Sequence, residues 1–199
     1  MDKVRLEKEG DELLLYFEEE FWKKVHKSVL AKGCNALFLA SSFKEAQEIL
    51  LQIEEKAAKS FVIKWLSIRS LFSLDLKKKL QEKGISKEAI EETLLFCEKL
   101  GFIDDKKLAE RKLSQDLSKG RGVSLALYKL RQSVDLDKIP LEFLSIKDLE
   151  KDALLTYLKK KKIKPGISLL SKEEKNKLFL SLLRRGFAKE NIQAALEEY

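Results

Sequence analysis

A chain of 199 residues, 44% hydrophobic and 37% charged, can bury the core of one or two domains, which excludes a disordered chain. Only 2 Pro and 8 Gly interrupt it, a composition that fits amphipathic helices with solvated outer faces and not a turn-rich sandwich. The net charge of +7 is uneven: residues 1–59 hold 10 Lys and Arg against 12 Asp and Glu, whereas residues 60–199 hold 30 against 21. That excess favours a polyanionic partner through counterion release, or an acidic protein surface through electrostatic attraction.

Met1-Asp2-Lys3-Val4-Arg5 leads into charge rather than into an apolar targeting segment, and no apolar run approaches the ~18 residues that span a bilayer. A cytoplasmic protein without membrane contact is expected. Residues 3–17 alternate apolar and polar side chains around Gly10-Asp11, so Val4 and Leu6 pair with Leu13, Leu15 and Phe17 in a short β-hairpin. Ser42 followed by Glu45 reads as a capping box, opening a helix through Ile49, Leu50 and Ile53 whose pattern runs on through Phe61, Ile63, Trp65 and Leu66. Residues 1–58 form an N-terminal module in this reading.

A first three-helix repeat follows over 59–103, with helices near 60–70, 74–83 and 87–100 and Gly101 as the last stop. Cys97 continues the stripe of Ile90 and Leu94 and reads as a small buried hydrophobe, while Cys34 lies 63 residues away. This usage suits a reducing compartment. The second repeat, 104–145, opens at Asp104-Asp105, where either carboxylate can cap the helix of Leu108, Leu113 and Leu117. It continues past Gly120 and Gly122 with Leu127 and Leu130, then degenerates where Pro140 interrupts the pattern.

The third repeat, 146–199, announces itself by self-similarity. Lys83-Gly84-Ile85-Ser86-Lys87-Glu88-Ala89-Ile90 recurs 102 residues later as Arg185-Gly186-Phe187-Ala188-Lys189-Glu190-Asn191-Ile192. In each copy a leucine pair, Leu76 and Leu80 or Leu178 and Leu182, precedes the glycine, and Ile90 with Leu94 or Ile192 with Leu196 follows it. Each copy is helix, glycine stop, helix. The box Ser171 with Glu174 opens the second helix of this unit, after a turn at Pro165-Gly166 that follows Lys159-Lys160-Lys161-Lys162. The fold class is mainly α, with three tandem three-helix units stacked in an elongated, curved array behind the hairpin module.

Candidate functional residues each carry a plain structural reading. Arg184-Arg185 before Gly186 can contact phosphate or acidic protein, yet cations in a last helical turn also stabilise the macrodipole. Lys77-Lys78-Lys79 cannot share one helical face, so a solvated surface is the simplest account, with one or two lysines left to touch a partner. Lys119-Gly120-Arg121-Gly122 resembles an anion-binding loop but lacks the Gly-Lys-Ser/Thr ending of a nucleotide loop, and a plain connector is the favoured reading. Asp104-Asp105 reads as capping rather than metal chemistry. His26 lacks an accompanying catalytic serine or cysteine motif. Phe21, Trp22 and Trp65 have the spacing of core residues, with base stacking as the alternative. No nucleophile with its base, metal-ligand cluster or phosphate loop appears, so neither catalysis nor a cofactor is expected.

Leu66-x-x-Arg69-x-x-x-Ser73-x-x-Leu76, then Lys79-Leu80-x-x-Lys83-Gly84-Ile85, then Leu100-Gly101-Phe102-Ile103-Asp104-Asp105 with Leu108-Ala109, resembles the RecX family. Leu182-Leu183-Arg184-Arg185-Gly186-Phe187 is similar to that family's last repeat, and Val25-His26 with Val29-Leu30 and Gly33 echoes the N-terminal segment of some members. The resemblance covers about residues 60–199 and implies a non-enzymatic modulator that binds the RecA recombinase filament, restraining its ATPase and strand exchange in DNA repair. Where the family's middle repeat has a glycine after its second helix, this chain reads Arg131-Gln132-Ser133-Val134, a departure that bears on potency more than on fold. Arg69, Lys79, Arg111, Arg121, Arg131, Arg184 and Arg185 are the expected contacts to filament or DNA. The expected partners are the RecA nucleoprotein filament and, weakly, single-stranded DNA, with double-stranded DNA a further candidate, bound by a monomer. A nucleic-acid binder that acts without RecA is the alternative.

Overall fold

Alternation on either side of Gly10 produces β1, Val4–Glu9, and β2, Glu12–Phe17, paired antiparallel with Leu6 opposite Leu15. The expected two-stranded hairpin is incomplete. A third strand, β3, Glu20–His26, pairs antiparallel with β2 and makes a three-stranded sheet in the order β1-β2-β3. A register shift between Leu15 and Tyr16 leaves Trp22 as an extra residue on β3, because Leu15 faces Lys23 while Tyr16 faces Phe21. The bulge breaks the period of two that would betray a strand in sequence.

The computed structural model describes residues 3–31, 34–134, 146–161, 163 and 171–198. Pro140 and the Pro165-Gly166 turn lie outside them. Nine helices occur among the described residues: α1 Asn35–Phe38, α2 Phe43–Ile68, α3 Ser73–Gln81, α4 Lys87–Lys99, α5 Asp105–Ser118, α6 Val123–Arg131, α7 Ile146–Lys160, α8 Lys172–Arg184 and α9 Lys189–Glu198. The chain is therefore mainly helical. The helix expected over 60–70 is the C-terminal part of α2, which crosses residues 58 and 59 unbroken because Lys56-Ala57-Ala58-Lys59-Ser60 contains no Gly or Pro. At its start the Ser42 hydroxyl accepts the Glu45 N–H at 3.2 Å, but the Glu45 carboxylate reaches Ser41 N–H at 2.8 Å, so the expected capping box is displaced by one residue. At α8 the box is complete: Ser171 Oγ accepts Glu174 N–H at 3.2 Å and the Glu174 carboxylate accepts Ser171 N–H at 2.9 Å.

Contacts divide the chain into two units, Met1–Asp104 and Asp105–Tyr199. In the first, Val4, Leu15 and Val25 from the sheet join Leu50 and Ile53 of α2 and Leu80 of α3 in one buried cluster. Cys97 is buried in it as expected, and Trp22 and Trp65 pack partly buried against it. In the second, Leu108, Leu113 and Leu117 of α5 are buried, as are Leu154 of α7, Leu182 of α8 and Ile192 of α9. Apart from Leu154, these residues belong to the stripes read from the sequence.

The sequence recurrence is also a recurrence of contacts. Gly84 and Gly186 both hold left-handed φ, 73° and 82°. The carbonyl just before each accepts a backbone N–H from an earlier element: Lys83 O from His26 at 3.0 Å, and Arg185 O from Gly122 at 2.8 Å. A Cβ on Gly84 would lie 2.4 Å from Lys24 O, and one on Gly186 would lie 2.5 Å from Leu125 N. Both turns thus need glycine for conformation and for close approach. A buried carboxylate then caps the helix that follows: Glu54 accepts Ser86 N–H at 2.9 Å and Glu150 accepts Ala188 N–H at 3.0 Å.

Candidate partner-binding surface

In the first unit, Arg69 is exposed at the C-terminal boundary of α2, where its N–H still reaches Trp65 O at 3.2 Å. Lys79 lies half-buried on α3 with its ammonium 5.4 Å from the centre of the Trp65 ring. Trp65 in turn stacks on Phe61 at 5.7 Å. Lys79 is thus laid along an aromatic surface, which orders its stem and leaves part of its charge accessible.

In the second unit, Arg111 on α5, Arg131 at the end of α6 and Arg184 at the end of α8 are exposed. Arg121 and Arg185 are not free in the same way. Arg121 forms an ion pair with Asp116, the two side chains 34% and 18% exposed. Arg185 places its guanidinium 4.3 Å from the centre of the Tyr157 ring and donates to Gly120 O at 3.4 Å. Burial pushes the Tyr157 hydroxyl up, but hydrogen bonding with Ser181 and the Arg185 charge outweigh it and hold the group below the usual phenol value.

Two of the predicted residues, Arg121 and Arg185, are therefore brought together around the α5–α6 turn. Two cations that the sequence reading did not select join them. Lys160, at the end of α7, donates to Ser118 O at 2.7 Å, and exposed Lys119 adjoins that carbonyl. Lys160 thus reaches the last carbonyl of α5 and Arg185 the turn that follows it, where the negative end of the helix dipole favours cations. The lysine run before residue 163 carried a signal of charge, but only the fold shows which lysine reaches another helix.

The glycine-flanked Arg121 loop does not cradle an anion through its backbone. Gly122 N–H and Ser124 N–H donate to Arg185 O at 2.8 Å and Gly186 O at 3.3 Å, so the loop is a connector docked on the α8–α9 turn. α5 begins at Asp105, directly after Asp104. Among the described residues no group of three or more His, Cys, Asp or Glu is placed to hold a metal. His26 Nδ1 lies 2.6 Å from Ser28 Oγ and 3.2 Å from Ser28 N–H, a local contact within one turn. Of Phe21, Trp22 and Trp65, only Phe21 departs from the core reading: it is 57% exposed.

No helix among the described residues is long and apolar enough to cross a membrane. No family model matches the chain. A regulatory protein RecX of Pelodictyon phaeoclathratiforme is 31% identical over 140 residues, covering 70% of this chain and 86% of the relative. Another from Prosthecochloris aestuarii is 30% identical over 146 residues, 73% of this chain and 95% of the relative. The crystal structure of RecX from Lactobacillus salivarius superposes with a TM-score of 0.62 at 21% identity, covering 72% of this chain and 95% of that one. That likeness bears on fold alone, whereas the two relatives, matched over most of their own length, establish kinship: the chain belongs to the RecX family of regulatory proteins.

Proposed function

We propose that the chain is a non-enzymatic cytoplasmic modulator of the RecA recombinase that binds the RecA–DNA filament through basic side chains of its helical units and restrains ATPase and strand exchange. Membership of a family of regulatory proteins is the observation that carries this reading. The excess of 30 Lys and Arg over 21 Asp and Glu after residue 59 supports it. In this reading the N-terminal module 1–58 is followed by three-helix units over 59–103, 104–145 and 146–199, and the matched turns at Gly84 and Gly186 favour that division. Contacts spread over successive units let one molecule bridge neighbouring protomers, since the second contact forms at high effective concentration after the first. A bridged pair resists the rearrangements of ATP turnover without any chemistry by the modulator.

Arg69, Lys79, Arg111, Arg131 and Arg184 are the proposed direct contacts, with Arg121 and Arg185 shaping the α5–α6 turn of the second unit. The protein acts as a monomer in this account and holds single-stranded DNA only weakly. The alternative, a nucleic-acid binder that acts without RecA, is favoured by the cations gathered at Lys119, Lys160 and Arg185. Salt separates the two. Retention on RecA–DNA filaments at salt concentrations that release the chain from bare DNA supports the modulator; identical salt dependence on both supports the alternative.

A further inference from the structure

The tip of the N-terminal sheet carries side chains that its backbone does not call for. β2 and β3 are joined by two residues, Glu18 and Glu19, with φ of 47° and 77°, while Phe17 and Glu20 pair across the turn. Such a turn favours Asn-Gly, since both central residues are left-handed. Two glutamates there cost conformational energy and add charge. The carboxylate of Glu18 pairs with Lys3 at 2.9 Å; Glu19 and Glu20 have no ion-pair partner among the described residues.

Beside this tip lies an open cup of about 530 Å³ lined by Phe17, Glu18, Glu20, Phe21, Trp22 and Phe43. Phe21 and Trp22, adjacent at the bulge, both line it, and the Phe21 ring also meets Tyr16 edge-on at 5.8 Å. Phe43 receives Phe17 and Trp22 at ring separations of 5.2 Å and 5.3 Å, yet stays 41% exposed, and Phe21 is 57% exposed. Exposed aromatic surface gathered in a concavity marks an interaction site. Charge selects the occupant. A phosphate-bearing strand stacked here would meet Glu18 and Glu20, whereas an arginine or lysine gains both a carboxylate and a ring face. Lys3 already uses this combination, its ammonium 6.0 Å from the Phe17 ring centre.

We propose that the cup docks a basic segment of a partner protein, with an arginine or lysine against Glu20 and Phe21 and an adjoining apolar side chain against Trp22 and Phe43. This surface is independent of the recombinase reading, which rests on the cations after residue 59. The test is fluorescence polarisation of a labelled peptide of alternating arginine and leucine, titrated with the full chain and with Phe21→Ala, Glu20→Lys and Arg184→Ala variants. Phe21→Ala and Glu20→Lys are expected to weaken binding about tenfold each, as central interface residues do, and Arg184→Ala to leave it unchanged. The double variant Glu18→Asn with Glu19→Gly keeps the fold in play: it is expected to melt at a higher temperature than the parent and still to bind the peptide more weakly. No measurable peptide binding by the parent, or binding indifferent to Phe21 and Glu20, overturns the proposal, as does an oligothymidylate whose binding is lost with Phe21→Ala.

Discussion

Glu54 is 1% exposed, and its carboxylate sits between the Lys23 ammonium at 2.5 Å and the Ser86 backbone N–H at 2.9 Å. It caps α4 from outside that helix. The side chain at the cap itself contributes nothing, since Ser86 Oγ is buried without a hydrogen-bond partner. At the matching place before α9 the residue is Ala188, which has no hydroxyl, and Glu150, 2% exposed, accepts its N–H at 3.0 Å and also bonds Asn191. Glu54→Ala should therefore lower stability by about 2–3 kcal/mol, because Lys23 and Ser86 N–H both lose their acceptor. Ser86→Ala should stay within about 0.5 kcal/mol of the parent, against about 1 kcal/mol for an ordinary cap. Urea unfolding of the two variants checks the contrast.

How much of this was legible follows from how local each signal is. The Gly84 and Gly186 stops, the apolar stripes around them and the Ser171 cap are written within a few residues, and the structure has them where expected. β3 escapes the pattern because the extra residue Trp22 spoils alternation, and α2 runs on through residues 58 and 59 because good helix formers surround them. For the candidate site, exposure of Arg111, Arg131 and Arg184 agrees with helix phase. The engagement of Arg185 with Tyr157 and Gly120 depends on contacts between distant segments, which no spacing reveals. The Arg121–Asp116 pair was within reach, being five residues apart across a glycine turn.

The two adjacent arginines at the end of α8 should separate by experiment. Arg185→Ala removes a ring contact at 4.3 Å and a bond to Gly120 O, and should cost about 1–2 kcal/mol of stability. Arg184→Ala, exposed at the helix end, should stay within about 0.5 kcal/mol and weaken filament binding instead. Melting curves beside filament co-sedimentation read both effects.

Acid should destabilise the chain through its cap carboxylates. Hydrogen bonds from the Ser41 side chain and backbone hold Glu45 below the usual carboxylate value of 4.5, and the Ser171 backbone and hydroxyl do the same for Glu174. Each binds its proton more weakly when folded, so its stabilisation is fully present above the ordinary value and is lost as pH falls through the lowered one. Thermal melts from about pH 6 to pH 3 should decline, and Glu174→Gln should decline less over that window.

The two free cysteines should differ in reactivity. Burial pushes the Cys97 thiol up and leaves no surface for attack, whereas Cys34 is half-exposed. Brief iodoacetamide treatment of the native chain should alkylate Cys34 and spare Cys97 until denaturant is added, as mass spectrometry of peptides will report.

Titrating the protein into a RecA ATPase assay on single-stranded DNA decides whether the chain restrains a RecA filament by binding it. Inhibition at amounts too small to coat the DNA is the expected result. Unchanged ATPase at all amounts, beside tight and salt-sensitive binding to the same DNA without RecA, would contradict it.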